Sequence, residues 1–450
     1  MHQIGIACTS IFHYIHFRHI AQELENNGFS VKYIICIPIN NLNKSSYEEL
    51  LNFFKCKNLK HCKLEQLLVE TEKFEAILSP FFMPAFSFIN PKIKLVRMLY
   101  GYAKDYWNYA EWNKKFDIVL SYGPYAENKL QKYSKIINIG HPRIKSTYKN
   151  QLIDLNGKYF PREFGKPILL YCPTWEELSS LDHFIENLSI FTENFVVVVK
   201  LHHGSIMIDN NFELNSIKKS NNLFIFDEFT DLFDLLYHCD LVLSDYSGAI
   251  FDAMLFRKPI ILIDSLDSKG SKTQESLDLL IREILPHAPT PNEIVELLKR
   301  ELNNKNLPYE KLINDLYSYV DELAPKRAVT AIKTILKENS SSEKKLQNDP
   351  KENIREFINN NIGQKIVIWG AGELGKIVYT WMKKEGYDIE CFYDSDTNKQ
   401  GIKIDGIVVK EPIYKGKIII TISTCKDEVI KTLKSFGLSE NIDFIFVSVN

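Results

Sequence analysis

Three absences narrow the field before any motif is considered. The chain lacks a charge excess: across 450 residues, 55 basic and 57 acidic side chains leave a formal net charge of -2. With the two signs spread along the whole length there is no electrostatic footprint for DNA or RNA, so no nucleic-acid partner is expected. It also lacks clustered cysteine. The 8 cysteines lie far apart, except Cys56 and Cys62, which flank His61 in a lysine-rich stretch without a second ligand pair. Neither a zinc site nor a disulfide framework is expected there, and free thiols in a reducing compartment are. Long apolar runs are the third absence. Stretches such as Phe195–Val199 and Leu241–Leu243 have the length of strands, against roughly 20 residues for a bilayer crossing. The opening residues MHQIGIACTS read as a strand, with no basic segment, apolar run and cleavage site in succession. The expectation is a cytoplasmic chain, with peripheral contact at the inner face of the membrane compatible with it.

What is present is enough apolar material, 45% of residues, to bury more than one core over this length. Gln3–Thr9 and Val31–Ile37 read as β-branched strands around a helical stretch, Phe12–Asn27, which makes a βαβ opening. Ala76–Leu78, Ile118–Ser121 and Lys135–Ile139 continue that unit. A second series of strands, Pro167–Tyr171, Phe195–Leu201, Leu223–Phe226, Leu241–Ser244 and Pro259–Ile263, alternates with helical stretches as a doubly wound parallel sheet requires. Helical patterns at Pro291–Asn303 and around Pro308–Leu336 follow, then the polar stretch ENSSSEKKLQNDPKEN. The expected division is therefore 1–160, 161–337, a linker over 338–353, and a small α/β unit over 354–450.

The segment Asp227–Asp264 carries the most chemistry. A helical stretch, Leu232–His238, leads into the apolar strand Leu241–Ser244, then a turn, Asp245–Gly248, then a helix from Ala249. That order sets the amides of Ser247, Gly248 and Ala249 at a helix amino terminus, where unpaired N–H groups and the positive dipole end favour a phosphate. In isolation Asp245 and Ser247 would be ordinary helix caps. Here the turn sits at the carboxyl end of a parallel strand, where such sheets bind ligands, and Asp252 follows one turn inside the helix, able to accept from ribose hydroxyls.

With those residues in place a resemblance is specific. DLLYHCDLVLSDYSGAIFDAMLFRKPIILID (Asp234–Asp264) resembles the signature of the CDP-glycerol glycerophosphotransferase family, the teichoic-acid polymerases and their capsule-synthesis relatives. Three further segments agree in order: IGHPR (Ile139–Arg143), ILLYCPTWE (Ile168–Glu176) and VKLH (Val199–His202), so that the likeness spans roughly residues 90–265. The resemblance implies a GT-B fold, two Rossmann-like domains facing across a cleft, with Thr174, Lys200, His202, Ser247 and Gly248 lining the donor site beside Asp245 and Asp252. Lys200 and His202 would stabilise the diphosphate leaving group, with the neighbouring His203 an alternative to His202. One departure stands out, for the His-Gly pair of the better-known polymerases is missing from the amino-terminal unit. The corresponding region, KLVRMLYGYAKDYWNYAEWN, offers Arg97, Lys104 and Asp105, which with Arg143 are candidates for binding a donor or acceptor phosphate. His141 is the candidate general base.

Near the carboxyl end, IVIWGAGELGKIV places Gly370, Gly372 and Gly375 directly after a strand and at the start of a helix, with Asp394 ending the next strand. This is the dinucleotide fingerprint in its usual setting. NAD or another nucleotide could sit there, or the unit could serve only for docking. The leading functional expectation is a transferase: a hydroxyl of a lipid-linked or polysaccharide acceptor attacks the β-phosphorus of a CDP-linked polyol donor and CMP leaves. No tightly bound metal or other cofactor is expected, since a helix terminus, Lys200 and His202 meet the diphosphate charge. A GT-B glycosyltransferase using a nucleotide sugar, a non-catalytic nucleotide-binding module and a nucleotide-sugar epimerase of related fold are the alternatives.

Overall fold

A computed structural model of the chain describes residues 2–447 other than 37–43, 71–73, 155–156, 161–164, 176–177, 185–186, 203–220, 265–275, 305, 339–348 and 423–425. His203 and most of the expected linker therefore lie outside the described residues. Three sheets organise the rest. The first runs in the order His61–Lys63, Ser30–Ile35, Gln3–Cys8, Phe74–Ser79, Lys94–Met98, Ile118–Ser121, Lys135–Asn138, all parallel. The second runs Leu223–Phe226, Val196–Lys200, Ile168–Cys172, Leu241–Ser244, Ile260–Ile263, His287–Ala288, again parallel throughout. Strands such as VVVVK and LVLS are buried along nearly their whole length, because helices cover both faces of a parallel sheet and no alternation is needed. With two such units facing one another the architecture is GT-B, an α/β fold.

Three expectations need correction. Lys94–Met98, which is not among the expected strands, is an interior strand with every residue buried; it pairs with Phe74–Ser79 and Ile118–Ser121. The boundaries between the two units also shift in space. The short hairpin Leu152–Ile153 with Tyr159–Phe160 packs on the second sheet, Phe160 lying 5.2 Å from Phe224 between ring centres and Asp154 accepting from the Ile225 amide at 3.4 Å. In the other direction, helix Ala324–Lys337 returns to the first unit and packs on helix Ile11–Asn26 and on strands Phe74–Ser79 and Lys94–Met98. Its buried stripe, Ala328, Val329, Ala331, Ile332 and Ile335, explains the crossing, since that apolar face has its cover only there.

The third sheet belongs to the carboxy-terminal unit, which begins with helix Pro350–Asn359 capped by Asp349 rather than at 354. Its order is Lys403–Ile404, Ile407–Lys410, Cys391–Tyr393, Ile366–Trp369, Lys417–Ile420, Phe444–Phe446, with only the first pair antiparallel. The unit is docked on the amino-terminal one. Helix Glu373–Lys384 packs on helix Leu64–Glu70 and on the turn Pro84–Ser87, Trp381 lies 5.9 Å from Phe88 between ring centres, and Lys351 and Lys384 donate to the carbonyls of Ile89 and Leu68 at 2.8 and 2.9 Å.

Candidate active site

In the second sheet the strand order reverses between Ile168–Cys172 and Leu241–Ser244, and a crevice opens beyond the carboxyl ends of strands at such a switch point. The cleft found there encloses about 240 Å³. Three strand ends feed it with the residues singled out from sequence: Thr174 after the first strand, Lys200 and His202 at the end of Val196–Lys200, and Ser247, Gly248 and Asp252 from the turn and helix Ala249–Leu255. Gly248 leaves open space on its cleft side, since a Cβ built on it would meet only the Ala103 Cβ of the opposite unit, at 3.9 Å.

Asp245 is the exception in this group. It is fully buried and does not line the cleft. Its carboxylate accepts from the Thr174 amide at 2.8 Å, the Ser180 amide at 2.9 Å and the Ser180 hydroxyl at 2.8 Å. The expected donor ligand is thus a clamp between two loops, fixing Thr174 against the turn that carries Ser247. Ser247 accepts from the Ala249 amide at 3.3 Å, so one of the helix-terminal N–H groups is already met within the turn.

The amino-terminal unit supplies the opposite wall. Lys104, at φ 61°, caps a short helix, Asp105–Asn108, and sets its ammonium 5.0 Å from the centre of the Trp175 ring. Trp175 in turn stacks on His202, 5.8 Å between ring centres and 5° between planes. A layered column of cation, indole and imidazole thereby bridges the two units across the cleft. Asp105, a candidate for phosphate binding beside Lys104, is buried. It accepts from the Tyr125 hydroxyl at 2.6 Å, and its amide donates to the Ser276 hydroxyl at 3.2 Å.

Arg97, an expected phosphate ligand, is displaced from the site altogether. At 0% exposure its guanidinium donates to the carbonyls of Pro80 and Asn108 at 3.2 and 2.7 Å and to the Asn108 side chain at 3.0 Å. It holds the loop after its own strand in shape.

The floor of the cleft is ionic. Arg143 is buried and donates through Nε to Asp231 at 3.2 Å, with a second, closer contact through Nη2. Arg18, on helix Ile11–Asn26 of the opposite unit, reaches the other oxygen of Asp231 at 2.7 Å. Burial alone would push Asp231 up, but the two guanidinium groups hold its carboxyl well below the usual carboxylate range. Arg143 also lies 3.5 Å from Asp252, and His141 lies 3.3 Å from the other Asp252 oxygen. His141, expected to act as base, is 1% exposed and stands behind Asp252 instead of lining the cleft. Its Nδ1 accepts from the Arg143 amide at 3.3 Å. That bond makes Nε2 the protonated nitrogen, so the ring orients Asp252. Burial pulls its pKa down, against the pull of Asp252.

Two titratable groups at the cleft edge were set apart less clearly by the sequence. Loss of hydration pulls the Lys200 ammonium down to about 8, with Cys172, Asp227 and Glu228 opposing. Glu228, just past strand Leu223–Phe226, lines the same cavity and is pushed up to about 7 by burial. Glu228 and Asp231 lie within Asp227–Asp264 but are not singled out there as site residues, and Arg18 lies outside every motif read from the sequence. The signal available was only Asp231, an N-cap acid whose side chain accepts from the Phe233 amide.

In the carboxy-terminal unit the glycine loop has the form expected of it. Gly370 has φ 118°, and a Cβ on Gly375 would come within 1.8 Å of the Gly370 carbonyl oxygen. Asp394, expected to meet a ribose, already accepts from the Ala371 amide at 2.9 Å and the Asp396 amide at 2.9 Å.

Comparison with known proteins adds the following. A family model described as CDP-Glycerol:Poly(glycerophosphate) glycerophosphotransferase matches residues 104–333. Among curated proteins, the teichoic acid ribitol-phosphate polymerase TarL of Staphylococcus aureus is 28% identical over 151 residues, 30% of this chain and 26% of that protein. The teichoic acid poly(glycerol phosphate) polymerase of Staphylococcus epidermidis is 22% identical over 199 residues, 41% and 27% of the two chains. The matches thus span about a quarter of the length of these relatives. Among solved structures, the wall teichoic acid polymerase TagF aligns with a TM-score of 0.50 at 14% identity, covering 75% of this chain and 89% of that one. A putative UDP-N-acetylglucosamine 2-epimerase from Listeria monocytogenes aligns at 0.50 and 16% identity, covering 75% and 97%. At such identities the structural likeness speaks for the fold.

Proposed function

The chain belongs to the CDP-glycerol:poly(glycerophosphate) glycerophosphotransferase family, and from that premise we propose that its cleft transfers glycerol phosphate, or a related polyol phosphate, from a CDP-linked donor to a hydroxyl of a teichoic-acid-like or other surface-polymer acceptor. The observation that supports this most is the convergence at the switch point: Thr174, Lys200, His202, Ser247 and Gly248 come from three strand ends to one cavity edge. A diphosphate there meets a cation, an imidazole and the amides of a turn. The hydroxyl attacks the β-phosphorus, the bond to CMP breaks, and the charge that builds on the departing phosphate falls on Lys200 and His202. In this reading Asp252, oriented by His141 and Arg143, accepts from ribose hydroxyls with its remaining lone pairs. Work at the inner face of the membrane, where a lipid-linked acceptor would be met, fits this reading. Among the described residues no helix is long and apolar enough to cross a membrane.

The carboxy-terminal unit is assigned a docking role within this reading, because helix Glu373–Lys384, Lys351 and Lys384 pack on the amino-terminal unit and Asp394 is engaged by the glycine loop's own amide. NAD should then leave the thermal midpoint of the full chain unchanged.

A nucleotide screen tests the proposal. A ligand at 100 times its dissociation constant stabilises the folded state by about 2.7 kcal/mol, so CDP should raise the thermal midpoint where UDP and GDP do not, and CDP-glycerol should be consumed with release of CMP. Preference for UDP or GDP would point instead to a nucleotide-sugar glycosyltransferase.

A further inference from the structure

We propose that Glu228 is the general base of the transfer, taking the proton of the acceptor hydroxyl as it attacks; the assignment rests on the reading of the cleft as a CDP-linked donor site. Glu228 sits two residues beyond Phe226, which is in register with Lys200 on the neighbouring strand. It lines the cavity together with Phe12 and Ile15 of the amino-terminal unit. This puts a carboxylate in the cleft near Lys200, the cation assigned to the donor.

Glu228 is 8% exposed, and no hydrogen bond or ion pair to it occurs among the described residues. A largely buried carboxylate that no side chain or amide engages keeps its lone pairs for what enters the cavity it lines. The other acid that lines the cleft, Asp252, is committed to His141 and Arg143. His141 itself does not reach the cavity. His202 stacks on Trp175 at the donor end. Glu228 is the lining carboxylate left to act on an incoming hydroxyl.

The step balances without a further reactant. The acceptor oxygen forms a bond to the β-phosphorus, the bond from that phosphorus to the bridging oxygen breaks, and the bond pair leaves with CMP. The hydroxyl proton passes to the Glu228 carboxylate, which releases it to water after the product departs. The charges around Glu228 suit this cycle. Lys200 on the adjacent strand favours the ionised form, while Asp227 in the same loop and Glu49 on helix Lys44–Cys56 oppose it. Together with burial they leave the carboxyl near 7, where a base is both available and strong enough to matter.

The test uses the full chain, CDP-glycerol as donor, a short poly(glycerol phosphate) oligomer as acceptor, and CMP release as readout. The rate of the wild type should rise with pH through about 7, as the base ionises. Glu228→Gln keeps the size of the side chain and removes the base. It should bind CDP as tightly as the wild type, lose about 10²- to 10⁴-fold in kcat, and show no acidic limb. Glu228→Asp should recover part of the rate together with the limb. A Glu228→Gln protein that binds CDP and transfers at the wild-type rate, or keeps the limb, overturns the assignment. A wild type that binds cytidine nucleotides yet releases no CMP overturns the reading of the cleft, and this assignment with it.

Discussion

Single residues here divide into those that face a ligand and those that hold the ones that do. Asp231 belongs to the second kind: it is gripped by Arg143 on the chain that links the two units and by Arg18 on the first helix. Removing one partner of a buried ion pair leaves an uncompensated charge, which costs about 3–5 kcal/mol. Asp231→Asn should therefore lower the unfolding free energy obtained from urea melts by that amount. The sign of the pH effect follows from its depressed pKa. A carboxylate held low contributes stability above its unfolded value, about 4, and loses it as pH falls below that. Wild-type stability should thus decline on acidification below about pH 4, and the variant should lack that part of the slope in urea melts taken across the range. The same network explains why His141 was misjudged. Its sequence neighbourhood marks it as special, and its place behind Asp252 is set by contacts with residues distant along the chain.

At the scale of elements, the turn between Leu241–Ser244 and Ala249–Leu255 is where sequence and structure agree most closely. An apolar strand buried on both faces, then Asp-Tyr-Ser-Gly, then a helix with Asp252 inside it can hardly adopt another order, because each part has a local cause. The strand Lys94–Met98 is the opposite case. It is not among the expected strands, yet Arg97 finds its partners in Pro80 and Asn108, and Lys94 is buried as well. Gly248→Val and His202→Ala together test the turn. Neither should disturb folding, since the nearest atom to a Cβ on Gly248 lies 3.9 Å away. Each should lower transfer by about ten- to hundredfold, the scale of one charge-assisted hydrogen bond of roughly 1.5–3 kcal/mol. Wild-type rates from both variants, with unchanged thermal midpoints, would move the donor site elsewhere.

At the scale of the whole molecule the units are joined by more than their connections. Helix Ala324–Lys337 crosses back to the first unit, and the carboxy-terminal unit rests on it through Trp381, Lys351 and Lys384. If a protease site is introduced between Glu338 and Asp349, the cleaved pieces should still elute together on size exclusion. Trp381→Ala, which removes the ring against Phe88, should let them part. Separation of the wild-type pieces at low salt would mean that the third unit is tethered and not docked.

The sequence by itself determined the layer architecture, the two strand series, the order of the motifs and the family they resemble, because those features arise from local periodicity and from residues close together in the chain. That Lys200, His202 and the Ser247–Gly248 turn line one cleft was legible for that reason: neighbouring parallel strands of one sheet end at one edge. What only the tertiary structure decided is which charged groups remain available to a ligand. Arg97, Asp245 and His141 carry suitable chemistry in the sequence, and each is taken up by partners that come near it only on folding. Glu228 is not singled out within its segment, and the fold leaves it largely buried in the cleft, beside Lys200. Burial and pairing are properties of the assembled units, and they set which of these groups can act.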